Sequence, residues 1–269
     1  MSPKERCSQL TKKLQSITNK LSPVLALAVL ILIWWIATGS QAVPSFMLPS
    51  PQDVLKAFVN DFDILLKNAA ITLTEAFAGL GIGISLAFIL ATLMDRFKII
   101  YKAFYPLLVI TQTVPSIALA PLLVLWMGFG MAPKITLVVL TTFFPIAVSL
   151  LDGYESVDND SIRLLRSMGA GQAKIYWYIK FPSAVSSFFA GLKVSASYAV
   201  VGAVVAEWLG GFEGLGVYMT RVRKAYAFDK MFAVIIFTTI VSLLLMYLVG
   251  LIKKISMPWE REGHDNEKH

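Results

Sequence analysis

Apolar residues dominate six stretches of the chain, at about 22–38, 69–94, 103–127, 134–152, 183–206 and 230–252, and short polar segments separate them. A helix needs about 20 mostly apolar residues to cross the hydrocarbon core of a bilayer, and lipid leaves no water to satisfy an open backbone. The pattern therefore predicts an all-α membrane protein with six transmembrane helices. A transmembrane domain over 22–252 would stand between a polar segment, 1–21, and a tail, 253–269. Trp34, Trp35, Trp126 and Trp208 fall near span ends, where amphipathic rings collect.

Charge orients these spans. Lys4, Arg6, Lys12, Lys13 and Lys20 precede the first span against a single Glu5. Arg96, Lys98 and Lys102 follow the second, and Lys253 and Lys254 follow the sixth. Six crossings put all three clusters on one side, and the positive-inside rule makes that side, with both termini, cytoplasmic. The loop 39–68 carries Asp53, Asp61 and Asp63 against Lys56 and Lys67, which suits the outer face. The loop 207–229, with Arg221, Arg223 and Lys224, runs against this assignment. The basic N-terminal segment could open a signal peptide, but the length of the run and Trp34-Trp35 fit an uncleaved first span better.

Composition narrows the chemistry. Of the 269 residues 57% are apolar and 15% charged, against about 45–50% and about 25% in soluble domains. The net charge of +7 lies in clusters between spans, so topology accounts for it and no nucleic-acid partner is expected. A single cysteine, Cys7, leaves no internal disulfide or cysteine-based metal site, and His264 and His269 lie in the polar tail. No Gly-x-x-x-x-Gly-Lys, Gly-x-Ser-x-Gly or His-Glu-x-x-His motif occurs. No catalytic residue, cofactor or metal is expected. Asp152, Glu155, Asp158 and Asp160 read as helix-start acids that suit the helix dipole.

Polar residues inside the spans are candidates for a translocation path. The third span holds Pro106, Pro115 and Pro121, with Gln112, Thr113 and Ser116 close by. Proline removes a backbone donor, so this is either a kinked packing helix or one that lines a polar path. Glu75, Lys193 and Glu207 are the ionisable residues within spans, and for each interface anchoring competes with substrate contact. Gln112, Thr113, Ser116, Lys193 and Glu207 form the candidate path. Gly79 and Gly83 make a small-xxx-small pair that allows another helix to come close.

The segment between the fourth and fifth spans is polar, basic and structured. On a helix over 160–180, Leu164, Met168, Ile175 and Ile179 share a stripe about 60° wide, with Arg163, Arg166, Lys174 and Lys180 on the other side. Gly169 and Gly171 suggest two short helices with a bend, and Pro182 is expected to stop the segment before the fifth span. An amphipathic helix on the inner leaflet, a structured linker and a docking module for a cytoplasmic partner all fit this pattern.

Residues GAGQAKIYWYIKFP resemble the cytoplasmic-loop signature of binding-protein-dependent ABC importer permeases. That signature is Glu-Ala-Ala, three residues, Gly, nine residues, Ile-x-Leu-Pro. Gly169, Ile179 and Pro182 keep its spacing, while Arg163, Leu164 and Leu165 stand at the Glu-Ala-Ala positions and Phe181 replaces leucine. LPSPQDV, FFPIAVSLLDG and GAVVAEWLGGFEGLG are similar to the sulfonate, nitrate and taurine permease group. AVVGAVVAEWLG and SIALAPLLVLWMGFG look closest to its branches for thiamine-precursor pyrimidines or riboflavin.

The resemblance implies the type I importer permease fold and a role as a transporter subunit in a bacterial inner membrane. Two permease copies would line a path, two cytoplasmic ATPase subunits would bind below, and an extracytoplasmic binding protein would deliver solute. The favoured solute is a thiamine-precursor pyrimidine or riboflavin-like compound. Import of aliphatic sulfonate, taurine or nitrate is the alternative, and an ion-driven secondary transporter a further one. The region 155–182 would contain the coupling helix, with Leu164, Met168, Gly169, Ile175, Tyr176, Ile179 and Pro182 docking the ATPase.

Overall fold

The computed structural model describes residues 22–39, 44 and 47–257, and the N-terminal basic cluster and the tail histidines lie outside them. The described residues are helical, with no strand among them. Five helices are long and apolar enough to cross a membrane: α1 (Ser22–Gly39), α3 (Phe62–Arg96), α6 (Met131–Glu155), the run Gln172–Gly210 and α11 (Phe228–Ser256). A bent pair, α4 (Lys98–Thr113) and α5 (Ser116–Met127), supplies the sixth. The remaining helices are α2 (Pro51–Asn60), α7 (Asn159–Ser167), α8 (Gln172–Ile175), α9 (Phe181–Gly210) and α10 (Leu215–Lys224).

Contacts divide the chain into two units. One joins the residues up to Asp61 with Val222–Ala233. Within it α2 starts where Ser50 accepts the Asp53 N–H at 3.2 Å and Pro51 presets the first turn. Val54 and Ala57 bury against Ala233, Trp34 stacks on Phe232, and Lys230 pairs with Asp61 at 2.8 Å.

The other unit comprises Phe62–Arg221 and the chain from Val234 onward. Its core is α6 packed along α3 and α9. Lipid offers no hydrophobic drive for helix association, so close contact relies on small residues and interhelical hydrogen bonds. A Cβ on Gly79 would sit 2.5 Å from Val138 Cβ, and one on Gly83 would sit 2.6 Å from Thr142 Oγ1. The small-residue pair thus brings α3 against α6. On the side of α9, Ser195 donates to the Thr142 carbonyl at 2.8 Å.

One expectation about continuity is sharpened and one corrected. The kink expected in the third span is a full break: α4 and α5 meet at 103°. Pro115 has no N–H to continue the ladder, and it holds Val114 in extended backbone at φ −79°, ψ 122°. Pro106 and Pro121 sit inside α4 and α5 without ending them. Pro182, conversely, does not stop a helix. It lies at the start of α9, which continues from α8 through a π turn over Tyr176–Lys180.

Candidate functional site

The segment between α6 and α9 is assembled from caps. Asp158 accepts the Asp160 N–H at 3.1 Å and the Ser161 hydroxyl at 3.3 Å, which starts α7. The first of these bonds holds the Asp158 carboxyl below the ordinary aspartate range. At the other end Gly169 takes φ +80°, a left-handed conformation that closes the helix. Its N–H donates to the Arg166 carbonyl at 3.0 Å, and the Ala170 N–H to the Leu165 carbonyl at 2.9 Å. That double closure explains why glycine is needed at this place in the signature.

The predicted apolar stripe divides at that closure. Leu164 and Met168 project outward, 63% and 74% exposed. Ile175 is buried, and Tyr176 and Ile179 are half-buried. Pro182 is exposed. Tyr176 donates its hydroxyl to Asp95 at the end of α3 and stands edge-on to Tyr154. Lys180, expected on the outer polar face, instead donates to both Asp95 oxygens at 2.7 and 2.6 Å. The segment therefore has an anchored inner half and an exposed outer half. Sequence reasoning missed Asp95; its signal was a single acid beside Arg96, Lys98 and Lys102 at the end of an apolar run.

A second feature lies at the α4–α5 bend. A cavity of about 280 Å³ opens there, lined by Thr111, Gln112, Pro115, Ser116, Thr141 and Tyr198 among others, with no charged side chain. Gln112 and Ser116 meet in this cavity. Thr113 is outside its lining and donates to the Ile110 carbonyl at 2.8 Å. Lys193 borders a separate recess with Tyr247 and Lys254.

Glu207 is buried elsewhere. Its Oε1 accepts the Thr72 hydroxyl at 2.7 Å and its Oε2 accepts the Gly216 N–H at 2.6 Å. The Leu215 N–H donates to Thr72 Oγ1 at 2.9 Å, and the Gly214 N–H to Asn68 Oδ1 at 3.0 Å. These bonds fasten the turn after α9 onto α3. Gly214, at φ +123°, leaves room for the Glu207 carboxylate where a Cβ would collide with it. Beside this network, Lys134 pairs with Glu75 at 2.6 Å, both side chains almost wholly buried. Lys134 carries no distinct signal in the sequence, since it lies only three residues into its helix, where a lysine reads as an interfacial anchor.

Comparison with known proteins places this architecture. Residues 79–261 match the family described as binding-protein-dependent transport system inner membrane component. A formylaminopyrimidine transport permease protein of Halalkalibacterium halodurans is 35% identical over 243 residues, covering 90% of this chain and 97% of that one. A taurine transport system permease protein of Escherichia coli is 28% identical over 243 residues, covering 88% of each. A crystal structure of an amino acid ABC transporter with histidines aligns with a TM-score of 0.61 over 73% of this chain and 95% of that one, at 17% identity, a likeness of fold.

Proposed function

The chain belongs to the family of binding-protein-dependent transport system inner membrane components, and from that premise we propose how it takes up energy and solute. It is the multi-pass permease subunit of an ABC importer, a transporter component and not an enzyme, whose family works with an ATPase and a binding protein. Membership of this family removes the ion-driven reading. In the proposed assembly two copies of the chain form the path in a bacterial inner membrane, both termini face the cytoplasm, and two ATPase subunits dock at the α6–α9 connection.

The observation that carries the docking role is the exposed pair Leu164 and Met168 on a short helix fixed at both ends. Large apolar side chains beyond a membrane span find their burial against another protein. Asp95, Lys180 and Tyr176 make the connection stiff, so a push on α7 would reach α3 and α9 together. Met168→Asp is the direct test, since Met168 makes no buried contact that the fold needs. In reconstituted vesicles with the ATPase and binding protein, this variant should insert normally yet lose uptake and substrate-stimulated ATP hydrolysis. Normal stimulated hydrolysis would overturn the docking role.

For the solute we favour a neutral heteroaromatic compound, a thiamine-precursor pyrimidine or a riboflavin-like molecule, over taurine, aliphatic sulfonate or nitrate. The cavity at the bend offers amide and hydroxyl groups and an aromatic ring but no cation to face an anionic solute. The similarity to a formylaminopyrimidine permease points the same way. Uptake of labelled formylaminopyrimidine, unaffected by excess taurine, is the expected result. Uptake of taurine alone would reverse the choice.

A further inference from the structure

A polar cavity of about 390 Å³ lies beside the docking segment, between the end of α3 and the α7–α8 connection. Its lining includes Asp95, Arg96, Arg163, Arg166, Gln172 and Lys180, four cations against one carboxylate. That carboxylate is already occupied by Lys180 and Tyr176. Arg163 meets the carboxylates of Asp160, at 3.4 Å with the two side chains 79% and 83% exposed, and of the exposed Asp158, an arrangement in water that neutralises little. Arg96 lies over its neighbour Phe97, and Arg166 has no anionic partner among the described residues. Three guanidinium groups thus surround one concavity, compensated weakly by the solvent-exposed Asp158 and Asp160. Planar guanidinium forks match carboxylates bidentately, and three like charges around a cavity favour an anionic guest.

The docking role of this segment favours a protein over a lipid headgroup as the occupant. Leu164 and Met168, on the same short helix as Arg163 and Arg166, give the occupant an apolar rim next to the cationic cavity. Arg163 also occupies the first Glu-Ala-Ala position, so the charge this chain offers there is opposite to that of the signature. We propose that the pocket of Arg96, Arg163 and Arg166 receives acidic side chains of the ATPase subunit, making the junction charge-reversed relative to the signature. This rests on the docking reading above.

The test is retention of the permease by a tagged ATPase subunit. The two are coexpressed, and permease insertion is measured separately in the membrane fraction. Arg163→Glu/Arg166→Glu should insert normally and lose retention about ten-fold, and wild-type retention should fall as salt rises from about 0.1 to about 0.5 M. Arg163→Lys/Arg166→Lys should keep more than about half, since charge survives although the fork is lost. Undiminished retention of the Glu variant, with Met168→Asp losing it, overturns the pocket and leaves docking intact. Undiminished retention in both overturns the docking reading itself. Repeating the assay in discs of neutral phosphatidylcholine and of phosphatidylglycerol separates the lipid source. A loss by the Glu variant seen only in the anionic discs assigns the pocket to lipid and overturns the proposal.

Discussion

Lys180 holds both carboxylate oxygens of Asp95, a residue 85 positions earlier in the chain, at 2.6 and 2.7 Å. The two side chains are only 16% and 9% exposed, so this pair is partly shielded from water. It ties the start of the fifth span to the end of the second, on the segment that carries Leu164 and Met168. Asp95→Asn keeps the shape and removes the charge, leaving Lys180 half-satisfied at a cost of about 1–3 kcal/mol. The expected phenotype is a loss of substrate-stimulated ATP hydrolysis with the permease still inserted. Exchange of the pair, Asp95→Lys with Lys180→Asp, should recover part of it. Equal stimulation in wild type and Asp95→Asn would remove this pair from the route of coupling.

Gly169 closes α7 at φ +80°, and beyond its chain neighbours no atom of the described residues lies within 4 Å of where its Cβ would be. Its requirement is therefore backbone conformation and not space. Substitution by valine should cost about 1–2 kcal/mol and loosen α7, whereas asparagine, which tolerates the left-handed region, should be nearly silent. Transport assays on Gly169→Val and Gly169→Asn separate the two accounts. If both fail alike, the position senses size through a partner instead.

The six apolar runs were legible because lipid imposes one rule on every span, and the bend was legible as a proline near polar residues. Its size of 103° was not, since nothing local to Pro115 sets how far two helix halves diverge. Span ends were drawn short for a related reason. Hydropathy senses only the part in contact with hydrocarbon, while α3 extends to Phe62 and Arg96 through polar turns. The bend at Gly169 was legible, but the stripe drawn across it was not, since the Gly169 closure changes the phase, turning Ile175 inward and leaving Met168 outside. Contacts such as Thr72–Glu207, 135 residues apart, have no periodic signature at all.

The buried pair Lys134–Glu75 gives a sharper outcome. Among the described residues Glu75 Oε2 has no hydrogen-bond partner, so Lys134 is the main compensation for this carboxylate. Lys134→Met should destabilise the fold by about 3–5 kcal/mol by leaving the charge alone, and adding Glu75→Gln should return much of that loss. Thermal unfolding in detergent measures both. A double variant no better than the single one would show that the pair is not the source of the effect.

Asp158 sets a pH limit on α7. Its folded carboxyl lies below its unfolded range because the Asp160 N–H favours the charged form. The cap is thus fully present above the ordinary aspartate range and is lost as pH falls through the lowered folded value. The protection factors of the Asp160 and Ser161 amides, measured against the unstructured exchange rate at each pH, should hold at neutral pH and fall only in acid. In Asp158→Ala they should be low at every pH, while Asp158→Asn, an equally good cap, should keep them and lose the acid dependence.

The cavity at the α4–α5 bend leads to the last expectation. Gln112 and Ser116 flank the break and line the cavity, while Thr113 between them does not. If the bend borders the solute path, alternating access must change the water exposure of the first two residues and leave the third as it was. Cysteine placed singly at each position, with Cys7 replaced by serine, allows a comparison by a small hydrophilic thiol reagent in the assembled importer. Labelling of Gln112→Cys and Ser116→Cys should differ several-fold between nucleotide-free and ATP-bound states, with Thr113→Cys constant. Equal labelling of all three in both states would make the bend a packing feature and move the path elsewhere in the assembly.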